Sequence, residues 1–190
     1  MKNLFLLLIT LFASINLFAT ENKYDFKDGD LIFHISKSKQ SPLIQYATMS
    51  PYSHCGIIIE RKSKLYVLEA SNVVKLTPID EFIDRGRFSH YIIKRYKGTL
   101  NKIKYSRYLG LPYDISFSFN NKKYYCSELI YEIYKKQFGI VLCDPKPIKD
   151  YCTFGLKKVM KKRGMNIEQY VVAPSDILNS ELLETIKIGI

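Results

Sequence analysis

Histidine is scarce in this 190-residue chain, with only His34, His54 and His90, and tryptophan is missing altogether. The four cysteines form no C-x-x-C pair and the histidines no H-x-x-x-H pair, which argues against a metal centre. No glycine-rich loop is present to cradle phosphates, and no cofactor is expected. Internal repeats and low-complexity tracts are also missing. A hydrophobic content of 47% with 25% charged residues suits one globular domain with a real core. Acidic residues are outnumbered 18 to 29 by lysine and arginine, for a formal charge of +11. A basic exported protein is suited to anionic envelope material such as cell-wall polymers or phospholipid headgroups. The lysines are dispersed and no recognition motif accompanies them, which speaks against nucleic acid as a partner.

Long apolar runs are lacking beyond the first twenty residues. Lys2, the apolar stretch from Leu4 to about Phe12, and the closing Leu17-Phe18-Ala19 read as an export signal over residues 1–19. Ser14 and Asn16 interrupt the stretch, so it is short for a membrane span; an uncleaved anchor is the rival reading. The protein is therefore expected in the periplasm or cell envelope, with residues 20–190 as one catalytic domain and no stable membrane insertion after cleavage. No cysteine lies near the cleavage region, which argues against a lipid-modified N-terminus. Four cysteines in an exported chain invite disulfides. Cys143 and Cys152, flanking a proline-rich loop, are the expected pair. Cys55 with Cys126 would complete an all-disulfide alternative.

The patterning predicts an α+β chain: one small antiparallel sheet with helices packed on it. A turn at Asp28-Gly29-Asp30 leads into a strand over Leu31–His34. Ser41-Pro42 starts a helix to about Thr48, with Ser41 as N-cap. Ser53–Glu60 and Lys64–Ala70 form a hairpin, and Val73–Leu76 adds a third strand. Thr77-Pro78-Ile79-Asp80 starts a short helix that ends near Gly86. A strand over Phe88–Tyr96 and a helix over Thr99–Leu109 follow. Leu111–Tyr125 is an aromatic loop, and Cys126 opens an amphipathic helix stopped by Gly139. A basic helix from about Phe154 to Arg163 and a short helix after Pro174 are expected in the less patterned C-terminal third.

Cys126 is the candidate nucleophile. A thiol at a helix N-terminus meets unpaired N–H groups and the positive end of the macrodipole, which favours thiolate. The competing reading is a buried core cysteine, since the apolar stripe of Leu129 and Ile133 extends back to Tyr125 and Cys126. His54 is the candidate base, because Ser53, Cys55 and Gly56 keep its surroundings small. Glu69, a carboxylate between Leu68 and Ala70, is the candidate orienting group. If a two-residue loop joins Glu60 to Ser63, His54 lies opposite Glu69; a three-residue loop turns Glu69 away. The alternative for Glu69 is a strand-end carboxylate reaching solvent or a lysine. Glu128 is expected to cap its own helix. The chemistry requires the sulfur to be exposed at the mouth of a cleft with the imidazole against it.

The ordered set Asp28-Gly29-Asp30-Leu31-Ile32-Phe33, Tyr52-Ser53-His54-Cys55-Gly56-Ile57, Leu68-Glu69-Ala70 and Tyr124-Tyr125-Cys126-Ser127-Glu128-Leu129 resembles the YiiX/YaeF-like family. Its members are circularly permuted relatives of NlpC-type cysteine peptidases with a papain-like fold. The resemblance implies a nucleophile-bearing helix packed on a sheet that carries the base, with histidine before cysteine in the chain. It implies Cys126 as nucleophile, His54 as base, Glu69 as the third polar group and Tyr113 as a residue lining the substrate site. The activity implied is that of a cysteine amidase or peptidase acting on a small-molecule or peptide substrate, with peptidoglycan-derived peptides as the leading class. A lipid acyltransferase or lipase using the same thioester chemistry, and a non-catalytic wall-binding module, are the alternatives.

Overall fold

The computed structural model describes residues 23–190, so the expected export signal over 1–19 lies outside the described residues. The strands are β1 (Leu31–Ser36), β2 (His54–Arg61), β3 (Lys64–Ala70), β4 (Val74–Pro78), β5 (Gly86–Tyr96) and β8 (Leu183–Gly189), with a two-residue pair β6 (Lys146–Pro147) and β7 (Tyr170–Val171). The helices are α1 (Ser41–Thr48), α2 (Ile79–Asp84), α3 (Cys126–Phe138), α4 (Lys157–Lys162) and α5 (Pro174–Leu178). Six strands form one antiparallel sheet in the order β4-β3-β2-β1-β5-β8. This is the expected α+β architecture. Among the described residues no helix is long and apolar enough to cross a membrane.

Strand alternation builds two cores, one on each face of the sheet. Leu31, Phe33, Cys55, Ile57, Ile59, Leu68 and Ala70 pack with Leu129, Ile130, Ile133 and Tyr134 of α3. Ile32, Ile58, Val67 and Ile93 pack with Ile79 and Phe82 of α2 on the other face. Helix α3 ends where Gly139 adopts φ +70, the left-handed position that closes a helix at low cost for glycine. Its first turn is tied down by Tyr125 and Ser127. Val172 N–H donates to the Tyr125 hydroxyl at 3.0 Å, and the Ser127 hydroxyl donates to Val172 O at 2.7 Å.

Several local expectations need correction. The helix expected over Thr99–Leu109 is only a short 3-10 turn, Ser106–Tyr108. The Gln137 side chain accepts from Lys104 N–H and donates to Lys104 O, using backbone groups that a helix would need. Ser41 is the first residue of α1, with Gln40 as its N-cap; its hydroxyl is bonded to that of Ser53 at 2.6 Å. Thr77 does not cap α2, because its hydroxyl is spent on Glu69. Strand β8, with Glu184, Thr185 and Lys187 at this sheet edge, was not anticipated.

The four cysteines, all among the described residues, are free, so Cys143 and Cys152 are not bridged. Cys152 N–H is held by Ala47 O on α1 and its thiol meets Tyr46, whereas Cys143 packs against the α3-side core.

Candidate active site

His54 opens β2, and Cys126 opens α3. Cys126 lies beside the His54 ring and Cys55, close enough for each to shift the other's titration. His54 Nε2 meets Glu69 Oε2 at 2.7 Å. That bond leaves Nδ1 as the ring nitrogen available to the thiol. The structure therefore brings Cys126, His54 and Glu69 together in one relay.

The register that achieves this differs from both hairpin alternatives. The turn is Lys62-Ser63, with Arg61 opposite Lys64, so Glu69 stands opposite Gly56 and diagonal to His54 on the same face. Gly56 makes the diagonal possible. A Cβ there would lie 2.4 Å from Val67 Cγ1, 2.8 Å from Leu68 O and 3.5 Å from Glu69 Cβ.

Glu69 has no exposed surface, so its charge must be met inside the protein. Thr77 and Arg85 donate to Oε1 while His54 occupies Oε2. Burial alone would raise its pKa, but the bond to His54, with Thr77 and Arg85 behind it, holds the carboxyl down at about 2. It is an anion throughout the neutral range. Burial likewise pulls the His54 pKa down, and the hydrogen bonds to Cys126 and Glu69 outweigh it and raise it. The Cys126 thiol is pushed well below its ordinary value by the hydrogen bond from Cys55, against burial, and then by His54. The combination favours a thiolate–imidazolium pair.

The thiol is not exposed as expected. Cys126 is 2% exposed and is among the residues that line an apolar, open-mouthed recess. Tyr113 is half-buried, and burial, with the Cys126 charge nearby, raises its pKa. It is near the sulfur but does not line that cavity. Glu128 caps α3 as expected, accepting from Tyr125 N–H at 3.3 Å; burial raises its pKa to about 8.

Thr77, Arg85 and Cys55 were missed as site residues. Thr77 carried a helix-start signal that masked its role, and Arg85 carried no signal. His34 was also missed. It stands opposite His54 across the β1–β2 pair, with its ring stacked on Phe82 at 4.3 Å. Neither of its ring nitrogens has a hydrogen-bond partner among the described residues. Burial, and then the positive side of His54 and Arg85, pushes its pKa down to about 3, so it is neutral.

A helix-borne thiol beside a sheet-borne histidine, with a carboxylate behind the ring, defines a papain-like site in permuted chain order. Residues 25–187 match the family model described as permuted papain-like amidase enzyme, YaeF/YiiX, C92 family. The chain belongs to that family. It is 35% identical to the uncharacterized protein YiiX of Escherichia coli K12, over 98% of this chain and 96% of that one. It is also similar to the crystal structure of the metalloprotein YiiX from Escherichia coli O157:H7. There the TM-score is 0.79 at 34% identity, covering 87% of this chain and 99% of the other. Among the described residues of this chain, no group of three or more His, Cys, Asp or Glu side chains is arranged to hold a metal ion. The donor set does not fit a resident metal, and no step below is routed through one.

Proposed function

We propose that this chain is a cysteine amidase that works through a thioester on Cys126 in the periplasm or cell envelope. The observation that carries the reading is the His54–Glu69 bond at 2.7 Å, behind a histidine that lies beside the helix-opening thiol. The thiolate attacks an amide carbonyl. The developing oxyanion is stabilised by the Cys126 N–H, which has no intrahelical acceptor at the start of α3. His54 passes its proton to the leaving amine, then takes one from the water that cleaves the thioester. Glu69 stays ionised, holding the ring and stabilising the imidazolium. The apolar N-terminal segment and the basic composition support the envelope assignment.

Two substrate classes meet this chemistry. Peptidoglycan-derived peptides would be encountered after export. Lipid acyl groups are favoured by a specific observation, the apolar walls of the cavity at Cys126. The test is to incubate the purified protein with envelope extract, trap the acyl-enzyme and weigh the adduct. A covalent acyl mass on Cys126, absent in Cys126→Ala and His54→Ala, supports the amidase. If Cys126→Ala retains full function, the chain is a wall-binding module and the amidase reading fails.

A further inference from the structure

Beside the nucleophile stands a second sulfur that the acyl-transfer chemistry does not consume. Strand alternation turns Cys55 of β2, opposite Phe33 of β1, to the sheet face that packs against α3. Its side chain ends next to Cys126, the first residue of that helix, and both belong to one buried cluster. Cys55 has no exposed surface, so a solute from outside does not meet its thiol directly. Cys126 is nearly as buried but helps to line the open-mouthed recess, so it is the sulfur that a small solute meets first. The other two cysteines are placed differently. Cys152 meets Tyr46 on α1, and Cys143 is half-buried at the edge of the same core, within electrostatic range of Cys55.

Thiolate character decides which cysteine a peroxide oxidises, and a second thiol in contact decides what becomes of the product. Cys126 supplies the thiolate, whereas burial holds the Cys55 thiol well above its ordinary value and so protonated. We propose that Cys126 and Cys55 form a reversible oxidative modification site, in which Cys55 captures the oxidised nucleophile as an intramolecular disulfide. The resting fold holds both as free thiols, so the bridge is a second covalent state of the same pair. In the first step the Cys126 thiolate attacks one oxygen of hydrogen peroxide. The sulfur–oxygen bond forms, the oxygen–oxygen bond breaks, hydroxide leaves, and the sulfur is oxidised by two electrons to a sulfenic acid. The Cys55 sulfur then displaces the sulfenic hydroxyl, which departs with the Cys55 proton as water while the disulfide forms. In that state the sulfur cannot attack a carbonyl, but it is spared further oxidation to the irreversible sulfinic acid. A dithiol reductant reverses the step. Its first thiolate attacks the Cys126 sulfur from the recess, and Cys55 leaves and takes up a proton. Its second thiolate then displaces Cys126 as thiolate and closes the reductant's own disulfide. No amide substrate takes part, so the site and the amidase reading are tested separately.

The test is titration of the purified protein with hydrogen peroxide, read by intact mass and by peptide mapping without reduction. The expected product is lighter by about 2 Da, with Cys55 and Cys126 in one linked peptide, and dithiothreitol returns both thiols to iodoacetamide. Cys55→Ser, which takes the partner sulfur away, should instead give a sulfenic acid that a 1,3-dione traps, and then a gain of about 32 Da that dithiothreitol does not remove. Cys55→Ala replaces it if the serine variant does not fold. At equal loss of the Cys126 thiol, the fraction that dithiothreitol cannot recover should rise about tenfold or more from the parent to either variant. The comparison is of products and not of rates, so a change in Cys126 reactivity in the variants does not imitate the result. A Cys126 sulfinic acid that forms as readily with Cys55 present, a bridge from Cys126 to Cys143, or a Cys126 that peroxide leaves untouched overturns the assignment.

Discussion

Replacing Glu69 by glutamine changes one atom of a side chain that has no exposed surface and three donors around it. Oε1 accepts from Thr77 and Arg85, and Oε2 faces His54 Nε2. An amide offers one oxygen and one NH2 group. Arg85 cannot accept a hydrogen bond, so the amide oxygen stays on its side and the NH2 turns to His54. The ring must then accept at Nε2 and carry its proton on Nδ1, as a neutral imidazole facing the thiol. The imidazolium loses one charge-assisted bond, worth about 2 kcal/mol. That corresponds to about a 30-fold fall in kcat/KM and a drop of about 1.5 units in the alkaline limb of the reaction. The assay is the pH dependence of acyl-enzyme formation on Cys126, with intact-mass detection and a melting curve to confirm folding. An unchanged rate and limb in a folded variant would mean that some other group orients the ring. Thr77→Val should weaken the reaction less, since Glu69 keeps its charge and its bond to His54.

In the parent protein the leaving group is protonated by charged His54, so acyl-enzyme formation should decline as pH rises through about 9. On the acid side it should persist below the ordinary thiol value and decline as the thiolate is protonated; a profile centred on an ordinary thiol would contradict the ion pair. His54→Ala should slow acyl-enzyme formation by about 10³-fold or more, a larger loss than Glu69→Gln. Gly56→Ala forces a methyl group against Val67 and the Leu68 carbonyl. It should cost about 2 kcal/mol and lower Tm by about 6 °C, so an unchanged Tm would show that the β2–β3 pair has slack. His34→Phe replaces an unpartnered ring by an apolar one of similar shape, so neutral-pH stability should hold or rise. With a folded pKa near 3 against 6.5 unfolded, His34 makes the parent less stable as pH falls from 6.5 towards 3. The variant should lose that part of the acid sensitivity in calorimetry, and equal acid sensitivity would refute the assignment.

The hairpin shows how far the site was legible and where legibility ended. Alternation placed His54 and Glu69 on one face only for the two-residue loop, and any even slip from that register keeps them there. What no residue announced was the turn. Lys62 and Ser63 both adopt positive φ, 51° and 57°, without the Asn-Gly or Asp-Gly pair that usually marks such a hairpin. The pairing therefore falls two positions from direct opposition, a distance a carboxylate spans only if nothing stands between. Glycine at position 56 leaves that space. Read from the sequence, Gly56 was merely small; in the fold it is the gap through which Glu69 reaches His54. The partners beyond Glu69 were harder still. Thr77 looked like a helix cap, and Arg85 carried no signal at all. Their roles follow from the burial of the carboxylate, which sequence patterning does not measure. A buried anion needs more donors than one imidazole supplies, and the residues that complete its shell come from wherever the fold brings a hydroxyl or a guanidinium within reach. The orienting role of Glu69 therefore belongs to the cluster of Glu69, Thr77 and Arg85, held beside a glycine, rather than to a single acidic residue.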